Sequence, residues 1–282
     1  MLIDIHVHSE HDDNAELKLA DVVQRCKQVG LDGFCLTNVH GLAGLEEAKR
    51  LAAEVDLVAL VGFEALTELG HFLVFVPEPD KLPAISEWLG LGEDGRVEFA
   101  SLARAVAERK GILVAAHPYA REVSGVSGDQ VAQLPGLAAL EVFNGRHGGM
   151  ADELAEELAV GLGLVGVGGS DARHKVEEIG SVATLFAGKI NNEAELIEAF
   201  IGQDVWPVRI GGPAPKPYKR STGRGERRPG GRGEGRRDGR RDARRGEGRG
   251  GRSGDGRNRS SNRSSNRSPR DGGKGGSSRS DS

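Results

Sequence analysis

The feature that most constrains this chain is a repeated alternation of short apolar runs and amphipathic helical patterns over its first 210 residues. Apolar side chains fill the first run, and Leu19, Val22 and Cys26 then recur at helical spacing until Gly30, a residue typical of helix ends. Runs of this kind predict strands at residues 2–7, 33–37, 57–63, 71–76, 112–116, 140–143, 164–167 and 182–186. The strand-then-helix order predicts an α/β fold. About seven such strands in one domain favour a closed TIM-like barrel over an open sheet.

The apolar pattern ends near residue 211. Residues 213–282 contain 22 Lys and Arg against 8 Asp and Glu, a net charge of +14, and no aromatic residue follows Tyr218. Such a segment cannot bury a core, so it predicts a disordered basic tail rich in Arg, Gly and Ser. Residues 1–212 carry the opposite net charge of −18. We therefore predict a folded domain at residues 1–210 and a disordered tail at residues 211–282.

The tail allows three interpretations. It is a solvated linker, it attaches to RNA or DNA through phosphates, or it folds back on the acidic domain and screens its charge. Only two cysteines and no apolar run of signal-peptide or membrane-span length predict a cytoplasmic protein that does not contact membranes. The oligomeric state does not follow from the sequence.

Residues that can bind metal ions recur at the ends of the predicted strands. Seven of nine candidates follow or end a strand, whereas Asp13 lies deeper in a loop and His71 begins a strand. Barrel enzymes keep their active sites at the C-terminal ends of strands. The nine candidates are His6, His8, Asp13, His40, Glu64, His71, His117, Asp171 and His174.

The spacing and chemistry of these residues indicate a metal centre. His6 and His8 are two residues apart, so a strand directs both side chains to one side. Imidazole and carboxylate ligands suit Mn, Zn or Fe, and nine candidates exceed the needs of one ion. We therefore expect two or three divalent metal ions, with a carboxylate such as Glu64 between them. Paired ions activate a water molecule for phosphoryl displacement.

Several segments together resemble the successive motifs of the PHP (polymerase and histidinol phosphatase) domain. They are IDIHVHSEHDD, GFE followed by GHFLVF, VAAHPYA, LEVFNGR and GGSDARHKVEEIG. The resemblance runs from Met1 to about Val208 and is specific because order, spacing and strand context agree. It implies a distorted seven-stranded barrel that holds two or three Mn, Zn or Fe ions. It also implies a phosphoesterase that acts on phosphomonoesters or phosphodiesters, including nucleotides and the ends of RNA or DNA.

The resemblance also assigns residue roles. Catalysis would rest on His6, His8, Glu64, His117 and Asp171. The family's metal ligands would correspond to these five residues together with Asp13, His71 and His174. Beside them, Arg121 and Arg146 are candidates for holding substrate phosphate, and Asn144 for lining the pocket; an exposed loop or turn position is the alternative for each.

Two positions depart from the family's motifs. The second motif usually reads Thr-Asp-His, whereas this chain has TNVH, so Val39 takes the place of the histidine unless His40 substitutes for it. The last motif usually reads Asp-Ala-His, whereas here Arg173 precedes His174. The departures indicate that one metal position is weak or missing.

A phosphoesterase is therefore the leading interpretation, and two alternatives stay open. The altered second motif allows a non-catalytic scaffold that binds RNA through its tail. An amidohydrolase ranks third, because that class often bridges its metals with a lysine at a strand end, where this chain has Glu64. His11 and His147 have no matched role and are predicted to face solvent.

Overall fold

A computed structural model describes residues 1–120 and 128–211 of the chain. The strands of this part are β1 (Leu2–Val7), β2 (Gly33–Leu36), β3 (Val58–Val61), β4 (Phe63–Thr67), β5 (Gly70–Phe75), β6 (Ile112–Ala115), β7 (Leu137–Asn144), β8 (Val165–Gly169), β9 (Val182–Phe186) and β10 (Val205–Arg209). Its α-helices are α1 (Leu19–Val29), α2 (Leu45–Ala53), α3 (Ile85–Leu89), α4 (Phe99–Glu108), α5 (Met150–Leu162) and α6 (Glu193–Gly202). Arg121 and all but the first residue of the tail predicted at residues 211–282 lie outside the described residues.

The strands form two sheets of five. The first has the order β10-β9-β1-β2-β3, in which β1, β2 and β3 are parallel while β9 pairs antiparallel with both β1 and β10. The second has the order β4-β5-β6-β7-β8, in which β6, β7 and β8 are parallel and β5 pairs antiparallel with both of its neighbours. The predicted α/β class is confirmed, and its parallel strands carry the continuous apolar runs expected of buried sheets.

The prediction of a closed seven-stranded barrel is corrected by this topology. Ten strands occur in the described residues, and the two sheets are joined by isolated bridges, Val7 with Ala172 and Val39 with Glu64, rather than by a closed ladder. One reason for the larger number of strands is Gly62, which divides the apolar run at residues 57–63 into β3 and β4. A Cβ atom at Gly62 would lie 2.4 Å from the backbone oxygen of Val74, so only glycine allows this close approach.

A shared core lies between the two sheets. Phe200 of α6 packs against Phe75 of β5 and Phe186 of β9, with ring centroids 6.2 and 5.9 Å apart. These two strands belong to different sheets, so α6 covers both at once. All three rings are almost completely buried, and truncation of any one to alanine would cost about 3–5 kcal/mol.

The C-terminal ends of the strands converge on one face of the molecule. His8 follows β1, His117 comes two residues after β6, and Asp171 comes two residues after β8, while Glu64 lies within β4. Parallel neighbours end at the same edge of a sheet, which is why residues far apart in the chain meet there. Among the helices of the described residues, none is long and apolar enough to cross a membrane.

Candidate metal centre

His6 and His8 direct their rings into the same pocket, each held by a carboxylate. Nδ1 of His6 donates to Oε1 of Glu141 at 2.9 Å, and Nδ1 of His8 donates to Oδ2 of Asp12 at 2.7 Å. Because the carboxylates accept, Nδ1 carries a proton in both rings and Nε2 faces the pocket. The two Nε2 atoms are 3.1 Å apart, and both residues are fully buried. This is the orientation in which a metal-binding histidine is usually held.

The two carboxylate oxygens of Glu64 on β4 lie near different pairs of histidines. Oε1 accepts from Nδ1 of His71 at 2.9 Å and lies 3.2 Å from Nε2 of His117. Oε2 lies 3.5 Å from Nε2 of His8 and 3.9 Å from Nε2 of His6. A carboxylate in this position can bridge two cations.

Asp171 and His117 are directed into the pocket by unusual backbone conformations. Their φ angles are +52° and +29°, and few residues other than glycine adopt such values. Hydrogen bonds hold both peptides: the His117 N–H donates to Glu141 and the Asp171 N–H donates to the backbone oxygen of His6. Oδ1 of Asp171 lies 3.7 Å from Nε2 of both His6 and His8. Strain of this kind clusters at functional sites.

Two groups of donor atoms fit a metal ion. One contains His6, His8 and Asp171 and the other His6, Glu64 and His117, and in each the donor atoms lie within 4.8 Å of one another. Two ligands about 2.1 Å from a tetrahedral ion lie roughly 3.4 Å apart. The separations of 3.1 to 3.7 Å in the first group bracket this value. Imidazole and carboxylate donors together suit Zn, Mn or Fe, so these residues fit a divalent metal centre.

The charges of the cluster are balanced by protons on imidazoles. Burial alone would lower the pKa of His6, but Glu141 and Asp171 outweigh burial and raise that pKa well above its usual value. For His117, too, burial is outweighed, here by the hydrogen bond to Glu64, and the pKa rises. Burial would raise the pKa of Glu64, yet the hydrogen bonds from His117 and His71 and the charge of Arg173 hold it well below its usual range. A metal ion bound here must displace these protons.

The cluster opens into a cavity of about 480 Å³. At its mouth, Nη1 of Arg146 lies 3.8 Å from Oδ1 of Asp171, and Nε2 of His147 lies 3.9 Å from Oδ2 of the same residue. Arg146 and His147 also line a second cavity of about 370 Å³. The prediction that His147 faces solvent is therefore wrong, since only 11% of its side chain is exposed.

The structure brings together six of the nine ligand candidates: His6, His8, Glu64, His71, His117 and Asp171. It places Asp13 on the wall of the cavity as an exposed residue, whereas the neighbouring Asp12 is buried and holds His8. The role of Asp13 as a metal ligand stays a prediction, while the contact with His8 is made by Asp12. A loop has no fixed period, so the sequence does not show which of two adjacent acids turns inward.

His40 and His174 are not part of the cluster. Nε2 of His40 accepts from the Leu66 N–H at 3.3 Å, and the ring lines a different cavity. His174 is exposed at the cavity mouth. Val39 and Arg173 line the cavity beside the cluster instead, and the backbone turns at His40, whose φ angle is +47°, and bends at residues 173 and 174. The one-residue shift that these two predictions required does not occur.

The predicted substrate-binding residues have different outcomes. Arg146 lines the cavity beside Asp171, as expected of a phosphate-binding group. Asn144 is buried and does not line the cavity. Its side-chain NH₂ group donates to Glu141, and its side-chain oxygen accepts from the backbone N–H groups of Arg146 and His147. Asn144 therefore shapes the turn and does not line the cavity, which corrects its predicted role.

Sequence reasoning missed three residues of the site. Glu141 accepts from His6, from the His117 N–H and from Asn144, and Asp12 and Arg173 flank the metal ligands. The signal for Glu141 was an acid inside an otherwise apolar strand, LEVFN, where a charge must find partners. Arg173 had no such signal, because an arginine in a loop is usually exposed.

Two family models match most of the described chain. The PHP domain model matches residues 4–125, and the PHP-associated model matches residues 149–202. An uncharacterized protein of Methanocaldococcus jannaschii is 26% identical over 157 residues, which cover 52% of this chain and 84% of that protein.

Solved structures share the fold. A candidate metal-dependent phosphoesterase of Bifidobacterium adolescentis superimposes with a TM-score of 0.53 at 18% identity and covers 70% of this chain and 94% of its own. PsfC of Pseudomonas syringae gives 0.53 at 17% identity, with coverages of 74% and 91%. A Chromobacterium violaceum amidohydrolase, solved with bound sulfate and no metal, gives 0.54 at 18% identity, with coverages of 73% and 97%. At these identities the similarity concerns the fold alone.

Proposed function

Because the chain belongs to the PHP-domain family, we propose that it is a metal-dependent phosphoesterase, a hydrolase that cleaves phosphomonoester or phosphodiester bonds of nucleotides or nucleic-acid ends. One observation carries the proposal. His6, His8, Glu64, His117 and Asp171 come from four separate stretches of the chain and meet with their donor atoms facing one another. Ionisable groups buried together in a cleft are typical of functional sites.

In the proposed hydrolysis, the ions and the protein side chains would have different roles. When bound, divalent ions would supply an acidified water molecule and neutralise the charge of the phosphate. The protein orients the ligands through Glu141 and Asp12, and it buries the residues that carry the donor atoms. Arg146 offers a cation at the cavity mouth, where it can hold a phosphate oxygen. Burial lowers the pKa of His147, so its ring is neutral near pH 7 and can accept a proton.

The second cavity supports a nucleotide as the substrate. It adjoins the first at Arg146 and His147 and is also lined by Tyr119, Met150 and Leu154. An aromatic ring and apolar side chains next to a phosphate site suit a planar base, which can stack while its phosphate reaches the metal ligands. A sugar phosphate would leave the ring of Tyr119 and the side chains of Met150 and Leu154 uncovered.

The test compares metal-dependent turnover of matched histidine variants. We expect wild-type protein loaded with Mn²⁺ or Zn²⁺ to hydrolyse members of a panel of nucleoside bisphosphates, sugar phosphates and end-labelled RNA. His8→Gln should lose activity by about 100-fold or more, because it removes a ligand. His11→Gln is the control, since that ring lies on the surface beside Glu47. Equal activity of the two variants, or full activity after chelation, would contradict the proposal.

A non-catalytic scaffold that binds RNA is the second candidate, and the position of Arg173 among the metal ligands favours it. An arginine beside Glu64 and Asp171 occupies oxygens that a metal would otherwise use. The scaffold predicts less than one bound metal ion per chain and no turnover of any phosphoester in the panel. The phosphoesterase predicts the opposite of both.

For the basic tail we propose attachment to RNA or DNA substrates. Its net charge of +14 can neutralise phosphates, and without aromatic residues after Tyr218 the binding should be electrostatic. A chain that ends at Gly212 should keep its activity on small phosphoesters. It should lose most of its affinity for RNA at low salt, together with the salt dependence of that affinity. Equal RNA affinity of the full and shortened chains would exclude this role.

A further inference from the structure

Arg173 introduces a permanent positive charge into the metal-binding cluster. Its Nη2 lies 2.6 Å from Oε2 of Glu64, and its Nε lies 2.8 Å from Oδ1 of Asp171. Its Nη1 lies 3.9 Å from Oδ2 of Asp12, and only 9% of the residue is exposed. Arginine cannot be deprotonated in proteins, so this charge, unlike the proton of an imidazole, is not released when a metal binds.

The backbone on both sides of Arg173 is fixed. The His8 N–H donates to the backbone oxygen of Ala172 at 3.0 Å, and the Glu16 N–H donates to that of Arg173 at 2.8 Å. The Arg173 N–H in turn donates to the Glu178 carboxylate at 3.1 Å. A segment held in this way presents the guanidinium to the cluster from a defined position.

The carboxylate of Asp12, next to Arg173, already accepts several hydrogen bonds. Oδ2 of Asp12 already accepts from His8 and from the Val39 N–H, and Oδ1 accepts from the Asn14 N–H. The side chain of Val39 lines the cavity and has no donor atom. Neither of the two groups of metal ligands in the described residues includes this end of the cluster.

We propose that the guanidinium of Arg173 is the resident cation at the Asp12 end of the cluster and thereby limits the centre to two metal ions. The inference rests on the proposed metal-dependent hydrolase and specifies its metal content. Arg173 is a positioning residue in this scheme. It donates to Oε2 of Glu64 and to Oδ1 of Asp171 and so holds both carboxylates in place, while each of these oxygens keeps a second lone pair for an ion.

The experiment counts metal ions and does not require activity. Full-length protein is stripped with a chelator, loaded with excess Mn²⁺, desalted and analysed by mass spectrometry of the metal. Wild-type protein should retain about two ions per chain. Val39→His should also retain about two, because Arg173 still occupies the position. The double variant Val39→His with Arg173→His should retain about three, because the guanidinium is gone and imidazoles replace both side chains that line the cavity next to Asp12.

Each alternative count has a distinct meaning. Three ions in the wild type or in Val39→His, or two in a double variant whose circular dichroism matches that of the wild type, would overturn the role of Arg173. If the double variant does not fold, the wild-type and Val39→His counts still decide. A wild type that retains no ion would instead overturn the metal-dependent hydrolase itself.

Discussion

Replacement of Glu141 by glutamine tests how the site holds its ligands. The carboxylate accepts from His6 Nδ1 through one oxygen, and from the His117 N–H and Asn144 through the other, at 2.9 to 3.0 Å. Glutamine has one acceptor oxygen and one NH₂ group of nearly the same shape. If the NH₂ group faces the His117 N–H and Asn144, these donors lose their acceptor; if it faces His6, the ring must give up its Nδ1 proton and carry a proton on Nε2, the atom that faces the pocket.

The magnitude follows from this mismatch. A buried donor left without an acceptor costs about 1–3 kcal/mol, so the metal-free Glu141→Gln variant should be less stable by that amount. The variant should also bind metal more weakly by about 10- to 100-fold, the usual effect of removing the group that orients a histidine ligand. The pKa of His6 should fall, because Glu141 is the main group that raises it.

Denaturant unfolding of the metal-free protein and competitive metal titration would measure the two effects. Glu156→Gln is the matched control, since Glu156 is exposed on α5 and its change should stay within about 0.5 kcal/mol. If Glu141→Gln bound metal as tightly as the control, the hydrogen bond to His6 would not orient the ligand, and the explanation of the site's geometry would be wrong.

Further predictions concern pH and packing. Burial raises the pKa of Asp4 to about 7, so the folded state binds its proton more tightly than the unfolded state. The free energy of unfolding of the metal-free protein should then fall as the pH rises from about 4 to about 7. In Asp4→Asn, this part of the pH dependence of the free energy of unfolding should be absent. Gly169→Ala should lower metal affinity and stability, the latter by about 1–3 kcal/mol, because its Cβ would lie 2.5 Å from Cβ of His6. Gly161→Ala, in open space on α5, should raise the melting temperature slightly.

Part of this site could be predicted because it follows from local periodicity. His6 and His8 lie two apart on a strand, and a strand directs such residues to one side whatever surrounds it. Asp171 and His117 follow buried strands, whose ends meet at one edge. These features need only the pattern of neighbouring residues, so the sequence predicts them without knowledge of the fold.

The remaining features depend on contacts across the fold. Glu141 is recognisable as a site residue only once β7 lies beside His6, and the inward turn of Arg173 depends on the backbone pairing of Ala172 with β1. The strand count failed for a similar reason. An apolar run at residues 57–63 predicts one strand, whereas the bend at Gly62 is favoured by the close approach of β5. Strand β10 was missed because Pro207 and the half-exposed Trp206 interrupt its apolar pattern.

The charge balance of the cluster indicates how metal binding relates to folding. Asp12, Glu64, Glu141 and Asp171 are all buried, and buried carboxylates are stable only when cations or hydrogen bonds compensate them. In this protein hydrogen bonds from Arg173 and the imidazoles compensate these carboxylates. We therefore expect bound ions to replace protons in a site that folds without them, in contrast to small zinc domains that unfold without their metal. Chelation should lower the melting temperature while leaving the far-ultraviolet circular dichroism unchanged, and loss of that signal on chelation would show that the carboxylates depend on metal ions for their compensation.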